Sequence, residues 1–230
     1  MSEDSKAEVL RTLGLLVRAL TAMFWGLPLT LVAYVQTAQT DWMRDIFGQF
    51  GMAPALVASG TLIYGLSQLR HFQPQERVWQ QAVHVSLILA IVNAGLSPFL
   101  FWWHRLPVEP FYVLCVRMLL VNGVLLLAQV NRVLHRLSAM LPDETLRSET
   151  AAFTSFDLVL LAALLGAMLF CFAVRNLPIL PSYLSTFVNI LTMNDMLLLV
   201  FSMLIPLAVT MSLLWKTKEV IFTSVFGAQK

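Results

Sequence analysis

Charge is scarce in this chain: Asp, Glu, Lys and Arg make up 12% of its 230 residues, against 58% for hydrophobic types. A soluble domain carries about 25% charged residues, so a water-facing globular surface is excluded. Cysteine is scarce too. Cys115 and Cys171 are the two present, too few for a disulfide framework or a CxxC metal motif. They fall at matching depths in two apolar runs and read as buried thiols used as small hydrophobes. The sequence holds no GxSxG, HExxH, P-loop or GxGxxG, which removes the simple hydrolase, metalloprotease and nucleotide-binding signatures.

The few titratable residues are also badly placed for known intramembrane chemistry. His84 and His104 lie on one apolar run, twenty residues and so ~30 Å apart, and His71 and His135 fall at inner margins, so two histidines cannot meet on a haem. Asp157 and Asp195 are expected near opposite membrane faces, ~20 Å or more apart, which excludes an aspartyl protease pair. No metal, haem or other cofactor is expected. The basic residues border apolar spans and are not interleaved with aromatics in a stripe, so nucleic acid is not an expected partner either.

What the chain does have is long apolar runs. A mean hydropathy of +0.76 and runs of the ~20 residues needed to cross ~30 Å of hydrocarbon predict an all-α, polytopic membrane protein with one domain over residues 1–230. Six spans are expected, at about 12–36, 52–69, 82–103, 111–131, 156–174 and 194–215. The first contains Trp25 and Pro28 and lacks a small-x-small exit, and it reads as a retained anchor. Two connections carry apolar residues at helical spacing. One holds Trp42, Met43, Ile46, Phe47 and Phe50 after Asp41, the other Tyr183, Leu184, Phe187, Val188 and Leu191 after Ser182. Both read as short helices lying in the outer interface.

Orientation follows from the cations. With the N-terminus inside, inner segments hold ten basic residues, among them Arg70, Arg77, Arg132, Arg136 and Lys216, while outer loops hold three, Arg44, Arg105 and Arg175. The positive-inside rule then puts both termini in the cytoplasm and the protein in a plasma (inner) membrane.

Polar residues inside spans are the candidate functional groups. Asn93 and Asn122 flank a hairpin whose turn is centred on Leu106 to Val108, each about 14 to 15 residues from it, so both fall near the bilayer midplane. With Gly95 and Gly123 nearby to permit close approach, the two carboxamides are expected to hydrogen-bond between spans three and four. The alternative is a midplane polar site for a solute, with Ser59, Thr61 and Trp25. Depth also suggests two ion pairs, Arg18 with Asp157 and Arg117 with Asp195. The fifth span carries Ala162, Ala163, Gly166 and Ala167 in small-xxx-small registers, suited to a neighbouring helix.

These features predict a non-enzymatic accessory, assembly or scaffold subunit whose partners are the lipid bilayer and other membrane proteins. A small-solute or ion transporter or channel built on Asn93 and Asn122 is the second expectation.

Overall fold

The structure, a computed structural model, describes residues 3–141, 144–175 and 195–226. Among them every regular element is helical: α1 Glu3–Gln39, α2 Trp42–Phe47, α3 Ala53–Leu69, α4 Arg77–Leu96, α5 Pro98–Arg105, α6 Pro110–Met140, α7 Glu144–Arg175 and α8 Asp195–Phe226. Four stretches are long and apolar enough to cross a membrane: Arg11–Gln39, Arg77–Arg105, Pro110–Met140 and Arg147–Phe170. The second expected span is the 17-residue α3, which rises only ~26 Å, and the sixth falls in α8. Neither is one of the four.

Proline sets several boundaries. Pro98 starts α5 and Pro110 starts α6, in the first turn where a missing N–H costs nothing. Ser97, at the α4–α5 junction, keeps helical angles of φ −59° and ψ −34°, so the third expected span bends at Pro98 rather than ending there. The turn between α5 and α6 covers 106–109, where the sequence centred it. Pro28 and Pro206 sit inside α1 and α8. Threonines meet the neighbouring carbonyls: Thr30 Oγ1 donates to Gly26 O at 2.7 Å, and Thr210 Oγ1 lies 2.9 Å from Pro206 O. This back-bonding is how a hydroxyl is satisfied inside an apolar helix.

Packing runs from α3 to α1, from α1 to α8, from α8 to α7, from α7 to α6, from α6 to α4 and from α4 back to α3, with α6 also touching α8. The closest pair is α1 with α3, and glycine explains it. A Cβ on Gly65 would stand 2.8 Å from Met23 Cγ and 3.1 Å from the Ala19 carbonyl oxygen; one on Gly26 would stand 2.9 Å from Leu62 Cδ2. The core that results is aliphatic, with Leu16, Leu20, Met23, Leu66, Leu134, Leu137 and Leu214 fully enclosed. Gly95 plays no such part, since a Cβ there would meet nothing within 4 Å. Of the two glycines expected to admit close approach near the asparagines, only at Gly123 would a Cβ come near Asn93, at an ordinary 3.9 Å from its Nδ2.

A short helix does form at Trp42–Phe47, followed by a 3-10 turn over Gly48–Phe50. Its start is tied to the far end of α5, where His104 Nδ1 lies 3.0 Å from Ala38 O and Nε2 lies 3.3 Å from Asp41 Oδ1. The second expected interfacial helix, at 182–191, lies outside the described residues.

Candidate functional site

Two separate groups of buried polar side chains interrupt this aliphatic interior. The first is the asparagine pair. Asn122 of α6 donates through Nδ2 to Asn93 Oδ1 of α4 at 2.8 Å and to the Leu89 carbonyl at 2.8 Å. Both residues are buried. The Tyr34 hydroxyl of α1 reaches the Asn93 carbonyl at 3.4 Å and exchanges a 2.8 Å hydrogen bond with Ser59 of α3, whose hydroxyl also lies 2.8 Å from Ala55 O. Four helices thus share one polar level, linked through Asn122 Nδ2, Asn93 Oδ1, the Asn93 carbonyl and the Tyr34 and Ser59 hydroxyls. Tyr34 was missed in the sequence because it reads there as one more apolar residue of the first span.

The other residues assigned to this level lie elsewhere. Trp25 is 60% exposed, and it joins Thr61, Gly60, Tyr64 and Arg18 in lining a recess of about 620 Å³ on the outward face of α1 and α3. Thr61 Oγ1 bonds its own helix at Ala58 O, at 2.7 Å. A second recess, lined by Ser67, Arg70, His71 and Gln80, lies against the α3–α4 connection. Neither includes Asn93 or Asn122.

The second group sits between α6, α7 and α8. Asn131 Nδ2 donates to Asp157 Oδ2 at 2.5 Å and lies 2.8 Å from Thr210 Oγ1 and 3.1 Å from the Leu127 carbonyl. Thr210 Oγ1 is 3.2 Å from the same Asp157 oxygen. Asn131, Asp157 and Thr210 have no exposed surface at all. The expected pairing of Arg18 with Asp157 is therefore not formed: Asp157 faces Asn131 and Thr210, while Arg18 lies exposed in the α1–α3 recess. Equal depth put the two residues level, but they point to different helices.

Arg117 is half-buried and stands over the Phe172 ring, 5.2 Å from its centroid, a cation–π contact between α6 and α7. The side chain of Asp195, its expected partner, lies outside the described part, as does that of Cys171. Cys115 is a buried free thiol.

The small residues of the fifth span face outward. Ala162, Ala163, Gly166 and Ala167 are all exposed on α7, and a Cβ on Gly166 would meet nothing within 4 Å. Of the apolar stretch in this helix 17% is buried, against 39% for that of α1, so among the four long apolar stretches α7 is the least covered by the described helices.

Among the described residues, no group of three or more His, Cys, Asp or Glu is placed to hold a metal ion. Comparison with protein-family models, with curated proteins and with solved structures returns no match.

Proposed function

We propose that the protein is a non-enzymatic multi-pass membrane component, an accessory or assembly subunit that packs its α7 face against a transmembrane helix of another membrane protein. In this reading the chain crosses the plasma (inner) membrane six times, with α3 and α8 completing the four long spans. Both termini are cytoplasmic, and the Trp42–Phe47 helix lies in the outer interface. A span of ~26 Å such as α3 is accommodated by local thinning of the bilayer at modest cost.

The observation that carries the reading is the closure of the midplane asparagines. A solute site needs polar groups free to bind and a path to them. Asn122 Nδ2 and Asn93 Oδ1 instead bond each other, Asn122 Nδ2 also holds the Leu89 carbonyl, and both residues are buried and adjoin neither recess. The expectation of a transporter centred on this pair keeps Ser59, bonded to Tyr34, but loses Thr61 and Trp25, which line an outward recess. The exposed small residues of α7 add support, because helices in lipid associate where small side chains let backbones approach.

Gly166 provides the test. Because a Cβ there meets no atom of the described residues within 4 Å, Gly166→Leu is expected to keep the fold and to block an external helix. Native mass spectrometry on protein released from its own membranes in mild detergent should find wild type with a second membrane protein and Gly166→Leu without it. Free monomer for both contradicts the reading. A homo-oligomer lost in Gly166→Leu replaces the heterologous partner with a second copy.

A further inference from the structure

The seam between α6, α7 and α8 contains an unexplained shortage of hydrogen-bond partners. Seven buried side-chain atoms among the described residues have no partner, and six belong here: Asn131 Oδ1, His135 Nδ1, Thr150 Oγ1, Thr154 Oγ1, Asp157 Oδ1 and Thr217 Oγ1. Their spacing is that of facing helical stripes, with Thr150, Thr154 and Asp157 at i, i+4 and i+7 on α7, Asn131 and His135 at i and i+4 on α6, and Thr210 and Thr217 at i and i+7 on α8. The stripe covers ~10 Å between Thr150 and Asp157. One residue beyond Thr150 and one before Thr217, Glu149 and Lys216 form an ion pair that is roughly half exposed, so that end of the seam meets solvent.

Asp157 holds the greatest imbalance. Every donor that reaches it, Asn131 Nδ2 and Thr210 Oγ1, is directed at Oδ2, and Thr210 has one proton to divide between Asp157 and the Pro206 carbonyl. Oδ1 is left bare in an interior that strongly disfavours an uncompensated carboxylate. Among the described residues, no cation of the packed helices compensates it. On α6, Arg132 bonds Gln129 and is exposed, Arg136 is exposed, and Arg117 lies over Phe172. On α8, Lys216 pairs with Glu149 and Lys218 stands over Trp215, while Glu219 is exposed. Arg147 of α7 bonds the Ala139 and Leu141 carbonyls. His135, one turn from Asn131, is also titratable, and its Nδ1 is itself without a partner; Cys115 lies about four turns from Asn131 on α6, and Glu144 is exposed at the start of α7.

We propose that this seam is a binding site for a small monovalent cation, H⁺ or Na⁺, held at Asp157 Oδ1 with Asn131 Oδ1 and the Thr154 hydroxyl as neutral oxygen ligands. The charge balance selects the class. One carboxylate neutralises one positive charge, whereas a divalent ion would leave a net charge in the hydrocarbon. Oxygen donors suit a hard cation, and the Thr150, Thr154 and Thr217 hydroxyls lie between the site and the Glu149–Lys216 end. The proton arm is a simple association, in which the Asp157 carboxylate takes H⁺ from water in the seam and returns it the same way. This goes beyond the assembly role and does not depend on it, since Gly166 and Asp157 lie on different faces of α7.

Infrared difference spectroscopy on the full chain in lipid vesicles tests the site. Acidification should produce the carbonyl band of a protonated buried carboxyl, absent from Asp157→Asn. Added Na⁺ at fixed pH distinguishes the sources. If Na⁺ removes that band and raises the unfolding temperature where tetramethylammonium does not, the ligand is Na⁺; if the band titrates with pH alone, the ligand is the proton. A wild-type spectrum that changes with neither pH nor Na⁺ overturns the proposal. Thr154→Val keeps it falsifiable should Asp157→Asn fail to fold. A hydroxyl that is merely stranded is replaced by its isostere without loss, whereas a ligand is not. Thr154→Val should shift half-saturation about tenfold toward higher cation concentration, and an unchanged half-saturation contradicts the site.

Discussion

Asn122 donates to Asn93 at 2.8 Å across α4 and α6, and with its second amide proton it holds the Leu89 carbonyl at 2.8 Å. The two partners are therefore not equivalent. Asn122→Leu removes both bonds and strands Asn93 Oδ1, while Asn93→Leu leaves Asn122 still bonded to Leu89. Each interhelical hydrogen bond in a membrane contributes ~0.6 to 2 kcal/mol. Unfolding in detergent should rank Asn122→Leu as the more damaging single change. The double Leu variant should cost less than the sum of the two, because an apolar pair leaves no amide unpaired. Additive losses would show that the two amides do not act on each other.

Gly65 holds α3 against α1. A methyl group there must displace Met23 or push against the Ala19 carbonyl, and a carbonyl on a helix cannot turn aside. Gly65→Ala should destabilise by ~1 to 3 kcal/mol, as overpacking does elsewhere. Gly60→Ala, where nothing lies within 4 Å, is the matched control on the same helix and should be neutral or mildly stabilising. Equal thermal midpoints for the two variants would mean that the α1–α3 contact is looser than the structure has it.

The hairpin of α4, α5 and α6 was legible in the sequence because one turn fixes the depth of everything on both of its arms. Depth alone brought Asn93 level with Asn122, and adjacency along the chain made them neighbours. The same reasoning failed for Arg18 and Asp157. They belong to helices that are distant in sequence, and nothing in hydropathy says which helix lies beside which. The better signal was periodicity. Thr150, Thr154 and Asp157 fall on one face of α7, and Asn131 and His135 fall on one face of α6 at the same depth. Asn131 escaped notice because it stands beside Arg132 at what reads as the inner margin of the span, although it is fully buried.

Membrane orientation is a separate expectation, resting on where the cations lie. With Cys115 and Cys171 replaced, Ser148→Cys on the exposed face of α7 should resist an impermeant maleimide on intact cells and react once the membrane is opened. Labelling of intact cells would invert the topology and with it the side from which the α6–α7–α8 seam is reached.

The assembly role requires that the outward face of α7 be covered in the native membrane by a helix of another protein. A photoreactive amino acid placed at position 166, irradiated in intact native membranes, measures this directly, with the enclosed position 161 as the internal control. One discrete polypeptide adduct is expected from 166, with a mass that a dimer of this chain does not explain, and none from 161. Adducts to lipid alone from position 166 would contradict it.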